Sequence, residues 1–100
     1  MLTKEGVRFT TEEARRVGDI LGIDWHKFGL EQFRVGLETE LEHGRDNPST
    51  DVTYDDPILT GKIALAHLSK FPDYYTRLEK MKDEARHDYH WRELEPREWR

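Results

Sequence analysis

The stretch 33–44, FRVGLETELEHG, decides how this chain is read. Phe33, Leu37 and Leu41 recur at i, i+4 and i+8, which puts three large apolar side chains on one face of an α-helix. Gly36 lies inside that pattern, where glycine costs about 1 kcal/mol relative to alanine. Its presence implies that a neighbouring backbone or ring passes close. Glu38, Glu40, Glu42 and His43 crowd the last turn and a half, and Gly44 is expected to close the helix. Glu38 and Glu42 are read as solvent-facing partners for Arg34 and Arg45.

Working outward, Thr10 and Glu13 form a capping-box pattern that starts a helix over 11–21. Ala14, Val17, Ile20 and Leu21 form its apolar face, and Gly22 ends it in the left-handed manner. Ile23-Asp24-Trp25 connects to the second helix, whose inner face is read as Phe28, Phe33, Leu37 and Leu41. Residues 45–56 are rich in turn formers and lack periodicity, a length that draws attention as a place for function. Asp56-Pro57 then reads as an N-cap followed by proline at the first helical position. The third helix, near 57–70, carries Ile58, Leu59, Ile63, Ala64, Ala66, His67 and Leu68, and is expected to be central. Pro72 breaks the chain. A fourth helix follows with Tyr75, Leu78, Met81 and Ala85 inward, while Tyr74 pins the loop. No strand pattern of useful length occurs.

The expected fold is therefore all-α: a compact bundle of four to five short helices with a long 45–56 loop. Its core is expected from Phe33, Leu37, Leu41, Ile63, Leu68, Tyr75 and Leu78. Residues 1–87 form a single helical domain, and 88–100 a charged aromatic tail or helix extension. One hundred residues suffice for one modest core. The chain has no cysteine, which excludes disulfides, zinc fingers and thiol catalysis. The net charge of −5 resides entirely in residues 1–76, a balance that disfavours nucleic-acid binding. The longest strongly apolar window, Ile63 to Leu68, is far too short to span a membrane. The N-terminus lacks the apolar core of a signal peptide. A soluble, cytoplasmic protein is expected.

Gly36, Glu40, Glu42 and His43, then Ile63-Ala64 and His67-Leu68, then Pro72, Tyr74, Tyr75 and Leu78 form a recognisable series. It resembles the DUF5661 family, small phage and bacterial domains of unknown function. The resemblance covers about half of the chain, and Lys70 stands where the family often has glutamate. It implies the fold boundaries and a phage or bacterial setting, and no reaction.

Two sets of candidate residues follow. Glu40 and His43, at i and i+3, share a helix face, and His67 answers them from the next helix. With water they form a mononuclear divalent-metal set, the basis for a small metal-binding domain or metal-dependent hydrolase. A di-iron site would need a second Glu-x-x-His pair, and Ala64-x-x-His67 lacks the carboxylate. Antiparallel packing would leave His67 about 15 Å along the axis from His43, facing Phe33 and Gly36, unless the loop lets the third helix slide. His67 is otherwise read as a buried histidine bonded to Glu40 or a tyrosine hydroxyl, and His43 as a complement to the helix dipole. His87-x-x-His90 is read as incidental. Ser49 and Ser69 lack a nucleophile elbow, and there is no phosphate-cradling glycine loop. The second set, Tyr54, Tyr74, Trp91 and Trp99, is the expected binding surface of a non-catalytic accessory or protein-interaction module. That reading expects a protein partner or self-association and no cofactor.

Overall fold

The structure is a computed structural model that describes residues 2–3 and 6–89, with side chains from Arg8 onward. Among the described residues, four helices make an all-α fold: α1 (Thr11–Ile20), α2 (Leu30–Asp46), α3 (Pro57–Lys70) and α4 (Tyr74–Tyr89). A single 3-10 turn spans Pro48–Thr50. Ahead of α1, the two-residue segments β1 (Leu2–Thr3) and β2 (Gly6–Val7) pair antiparallel, a contact too small to alter the fold class.

The helix ends follow the local chemistry. Thr10 accepts from the Glu13 amide at 3.0 Å while the Glu13 carboxylate accepts from the Thr10 amide at 2.9 Å. Two donors that the first turn would leave orphaned are thus satisfied. At the other end of α1, the Ile23 amide bonds the Gly18 carbonyl and the Gly22 amide the Asp19 carbonyl. This is a complete Schellman motif, and Gly22 supplies the positive φ of 74° that it needs. Asp56 caps α3, accepting from the Ile58 amide at 2.8 Å, with Pro57 at the first helical position.

The core joins Ala14, Val17, Ile23, Phe28, Phe33, Leu37, Ala64, Leu68 and Tyr75. Phe28 belongs to the connector rather than to α2, because Gly29 is the N-cap of that helix. Trp25 packs edge-on against Phe33 with ring centroids 5.7 Å apart, so the connector closes one end of the core. Ile63 and Leu78, expected in the core, are only partly buried. Gly44 does not close α2, which runs on to Asp46. It lies buried in the helix, where a Cβ would come within 2.8 Å of Asp51 Oδ1. Its smallness seats the loop against the helix instead of ending it.

Gly36 meets the ring that its position implied. A Cβ there would lie 2.6 Å from Tyr75 Cε2 and 3.1 Å from the Ala64 Cβ. Glycine at this point lets α2 approach both α3 and α4. The contacts between α2 and α3 are not those of an antiparallel hairpin. Phe33 lies against Gly61, Gly36 against Ala64, and Glu40 beside His67. The long loop releases α3 from hairpin register, so His67 stands level with Glu40 and not beside Phe33.

Glu38 also departs from expectation. It does pair with Arg34, at 2.8 Å, but is mostly buried rather than solvent-facing. Its Oε2 accepts from the Phe9 amide at 2.7 Å, and Arg34 donates to the Phe9 carbonyl at 3.3 Å. The pair thus clamps the segment entering α1 onto α2. Arg45 turns to Asp55, bonded through two nitrogens at 2.8 and 2.9 Å.

Candidate functional site

Helix α4 shapes the most distinctive surface. Only Tyr75 is buried along its sixteen residues. Its first turn is bracketed by Gln32, which accepts from the Tyr75 amide at 3.2 Å and donates to Thr76 Oγ1 at 2.6 Å. Beyond that bracket Leu78 still packs against the core, but Met81, expected inward, is 53% exposed. Ala85 is only partly buried.

Of the concavities beside this helix, two adjoin each other. The first is a cleft of about 290 Å³ between α2, α3 and α4. Glu40, Glu42, His43, Asp46, His67, Tyr74, Leu78 and Lys82 line it, together with Thr39. On its inner wall the Tyr75 hydroxyl donates to Glu40 Oε2 at 2.8 Å. His67 Nε2 lies 3.5 Å from the same oxygen. The His67 ring stacks on Tyr74, with centroids 4.3 Å apart and planes 2° from parallel. Burial, followed by the negative charge of Glu40 and its hydrogen bond, pushes the Tyr75 phenol far above its ordinary range. Tyr75 therefore serves as a donor, holding the carboxylate in place.

The second concavity is an apolar groove of about 490 Å³ lined by Phe71, Tyr74, Arg77, Leu78 and Met81. Phe71, Tyr74, Leu78 and Met81 fall at i, i+3, i+7 and i+10, one continuous stripe from the α3–α4 turn along α4. Phe71 is 55% exposed, a large apolar side chain left in water. Tyr74 and Leu78 belong to both concavities, so groove and cleft form a single surface, apolar at one side and acidic at the other.

The sequence-derived candidates are placed as follows. Glu40 and His67 come together. His67 is about one-third exposed rather than buried. His43 is exposed and lines the same cleft. Among the described residues, no three His, Asp or Glu side chains are grouped so as to hold a metal ion. Tyr74 pins His67 rather than the loop. Tyr54 is 80% exposed at the loop tip, with φ of 50°, and Asp55 follows at 67°. Asp51 Oδ1 accepts from the Thr53 and Tyr54 amides at 3.2 and 3.0 Å, which fixes that turn. Trp91, Trp99 and His90 lie outside the described residues. Sequence reasoning missed the groove. The signal was an apolar Phe71 directly before Pro72, in register with Leu78 and Met81.

Among the described residues, no helix is long and apolar enough to cross a membrane. Comparison with curated proteins and with solved structures returned no match. Residues 14–84, which run from the first turns of α1 through most of α4 and include every residue of the cleft and groove, match the model of the DUF5661 family, described as proteins of unknown function. The chain belongs to that family.

Proposed function

We propose that the protein is a non-catalytic interaction module, an accessory chain that engages another protein through the open face of α4. The observation that carries this reading is the stripe Phe71, Tyr74, Leu78 and Met81, which forms a groove where a folded monomer would ordinarily keep water out. The exposed Tyr54 and Val52 on the pinned loop give a second, smaller contact area. A backbone held at positive φ to present a side chain costs about 1–2 kcal/mol, and such strain concentrates at working surfaces. The phage or bacterial setting and the cytoplasmic location enter this reading from the family resemblance and the sequence.

The test is site-specific photo-crosslinking inside the cell that encodes the protein. A crosslinker at Met81 yields one discrete protein adduct, whereas one at Glu12, on the exposed side of α1, yields none. Absence of a discrete adduct from position 81 would refute the reading.

A second reading, a divalent-metal site on Glu40, His43 and His67, requires the three to close on an ion, since they line one cleft without being grouped to hold one. Titration of the purified protein with Zn²⁺ decides it. The metal reading requires a stoichiometric binding isotherm that disappears in His67→Ala, and absence of heat would remove it.

A further inference from the structure

The surface beside α4 has a specific chemistry, and residues 90–100 match it. They read HWRELEPREWR and join tryptophan to arginine twice, at Trp91-Arg92 and Trp99-Arg100. The groove offers an apolar seat, and the cleft beside it holds the carboxylates of Glu40, Glu42 and Asp46 against the single ammonium of Lys82. An indole has the shape and chemistry to fill the groove, and an adjoining guanidinium those to pair with the planar carboxylates. Tryptophan and arginine are also the residue types that most often anchor protein interfaces.

Chain length bears on which copy's Trp91 can bind. Tyr89 is the last described residue of α4, and Leu78 lies eleven residues earlier, about 16 Å back along the helix. Trp91 follows Tyr89 by two residues, a backbone reach of about 7 Å. By backbone reach the Trp91-Arg92 pair falls short of Leu78 on its own chain. It can enter the groove of another molecule.

We propose that the groove–cleft surface is a self-association site, and that its occupant is the Trp91-Arg92 pair of a second copy of this chain. The proposal rests on the interaction-module reading and names its partner. Reciprocal exchange, each tail in the other's groove, buries both α4 faces in one closed dimer.

The experiment is sedimentation velocity of the full chain from micromolar to hundreds of micromolar concentration, with three variants. The wild type forms a dimer. Trp91→Ala and Met81→Glu each weaken it at least about tenfold. Met81 is half exposed, so the glutamate is tolerated by the fold, and circular dichroism verifies this for each variant. Mixing Trp91→Ala with Met81→Glu restores a heterodimer, because one intact tail meets one intact groove. Trp99→Ala behaves as wild type.

A wild type that stays monomeric overturns the proposal, as does a mixture that fails to complement. A monomer whose stability falls in Trp99→Ala means that the tail binds its own groove, which also overturns it. If Trp91→Ala dimerises normally while Met81→Glu does not, the proposal is overturned, and the groove remains an interface for a different occupant. If Met81→Glu alters neither self-association nor the adduct formed from position 81, the interaction-module reading fails as well.

Discussion

Replacing Gly36 by alanine tests the packing that positions the whole surface. Helix propensity alone favours the change by about 1 kcal/mol. The structure opposes it, because the new Cβ would sit 2.6 Å from Tyr75 Cε2, 3.0 Å from Cζ and 3.1 Å from the Ala64 Cβ. The ring is not free to yield. Its hydroxyl is bonded to Glu40 and its backbone amide to Gln32. Overpacking of this kind costs about 1–3 kcal/mol. If the ring swings aside, the bond to a carboxylate is lost as well, worth about 1.5–3 kcal/mol. Set against the propensity gain, the expected net loss is about 2 kcal/mol, or roughly 8–16 °C in Tm for a chain of this size. Urea unfolding followed by far-UV circular dichroism measures it. In a Tyr75→Leu background, which removes both offending ring atoms, the cost of Gly36→Ala should fall by at least about 1 kcal/mol. A Gly36→Ala variant that is stabilised in the wild-type background would refute the reasoning.

Three further outcomes follow from the same geometry. Tyr75→Phe should cost about 1.5–3 kcal/mol at neutral pH, measured by urea unfolding, because Glu40 loses its donor. The folded phenol holds its proton well above the ordinary value of 10.0, so its contribution is complete below pH 10. Above that, the unfolded chain ionises first and stability falls by up to about 1.4 kcal/mol per pH unit, a slope that Tyr75→Phe should lack. Asp51→Ala should cost about 1–2 kcal/mol and speed amide exchange at Thr53 and Tyr54 while leaving α1 unchanged, because the three bonds to its Oδ1 define that turn. Gly22→Ala should lose about 1–2 kcal/mol in the same unfolding assay, since alanine must adopt a φ of 74° in open space with no compensating contact.

Much of the fold was legible because its signals are local. The Thr10–Glu13 box, the Gly22 cap and Asp56-Pro57 each satisfy backbone groups within a few residues, and all appear where the sequence put them. Gly36 was readable for a related reason, since a glycine inside an apolar helical stripe needs a neighbour to explain it. What failed depended on distance along the chain. The α2–α3 register could not be read from two helices joined by a loop long enough to free them from hairpin geometry. Glu38 looked solvent-facing because alternating glutamates do so on an isolated helix. Its partner is the Phe9 backbone, 29 residues away. Gly44 resembled a cap, yet its smallness is used by Asp51 across the turn. The site was half legible. Glu40 and His67 were singled out and do meet, whereas the hydroxyl of Tyr75 that binds Glu40 comes from a residue assigned only to packing. Met81 was assigned inward because periodicity identifies a face without showing where its partner ends.

The proposed cover for the outer part of α4 is a second copy of this chain. The direct measurement is hydrogen exchange of the α4 amides from Glu79 to Tyr89 as protein concentration is raised. With so little burial there, these amides should exchange quickly in dilute protein and slow at least about tenfold as the chains associate, while α2 and α3 keep their protection. Exchange in α4 that is independent of concentration, whether fast or slow throughout, would contradict the account.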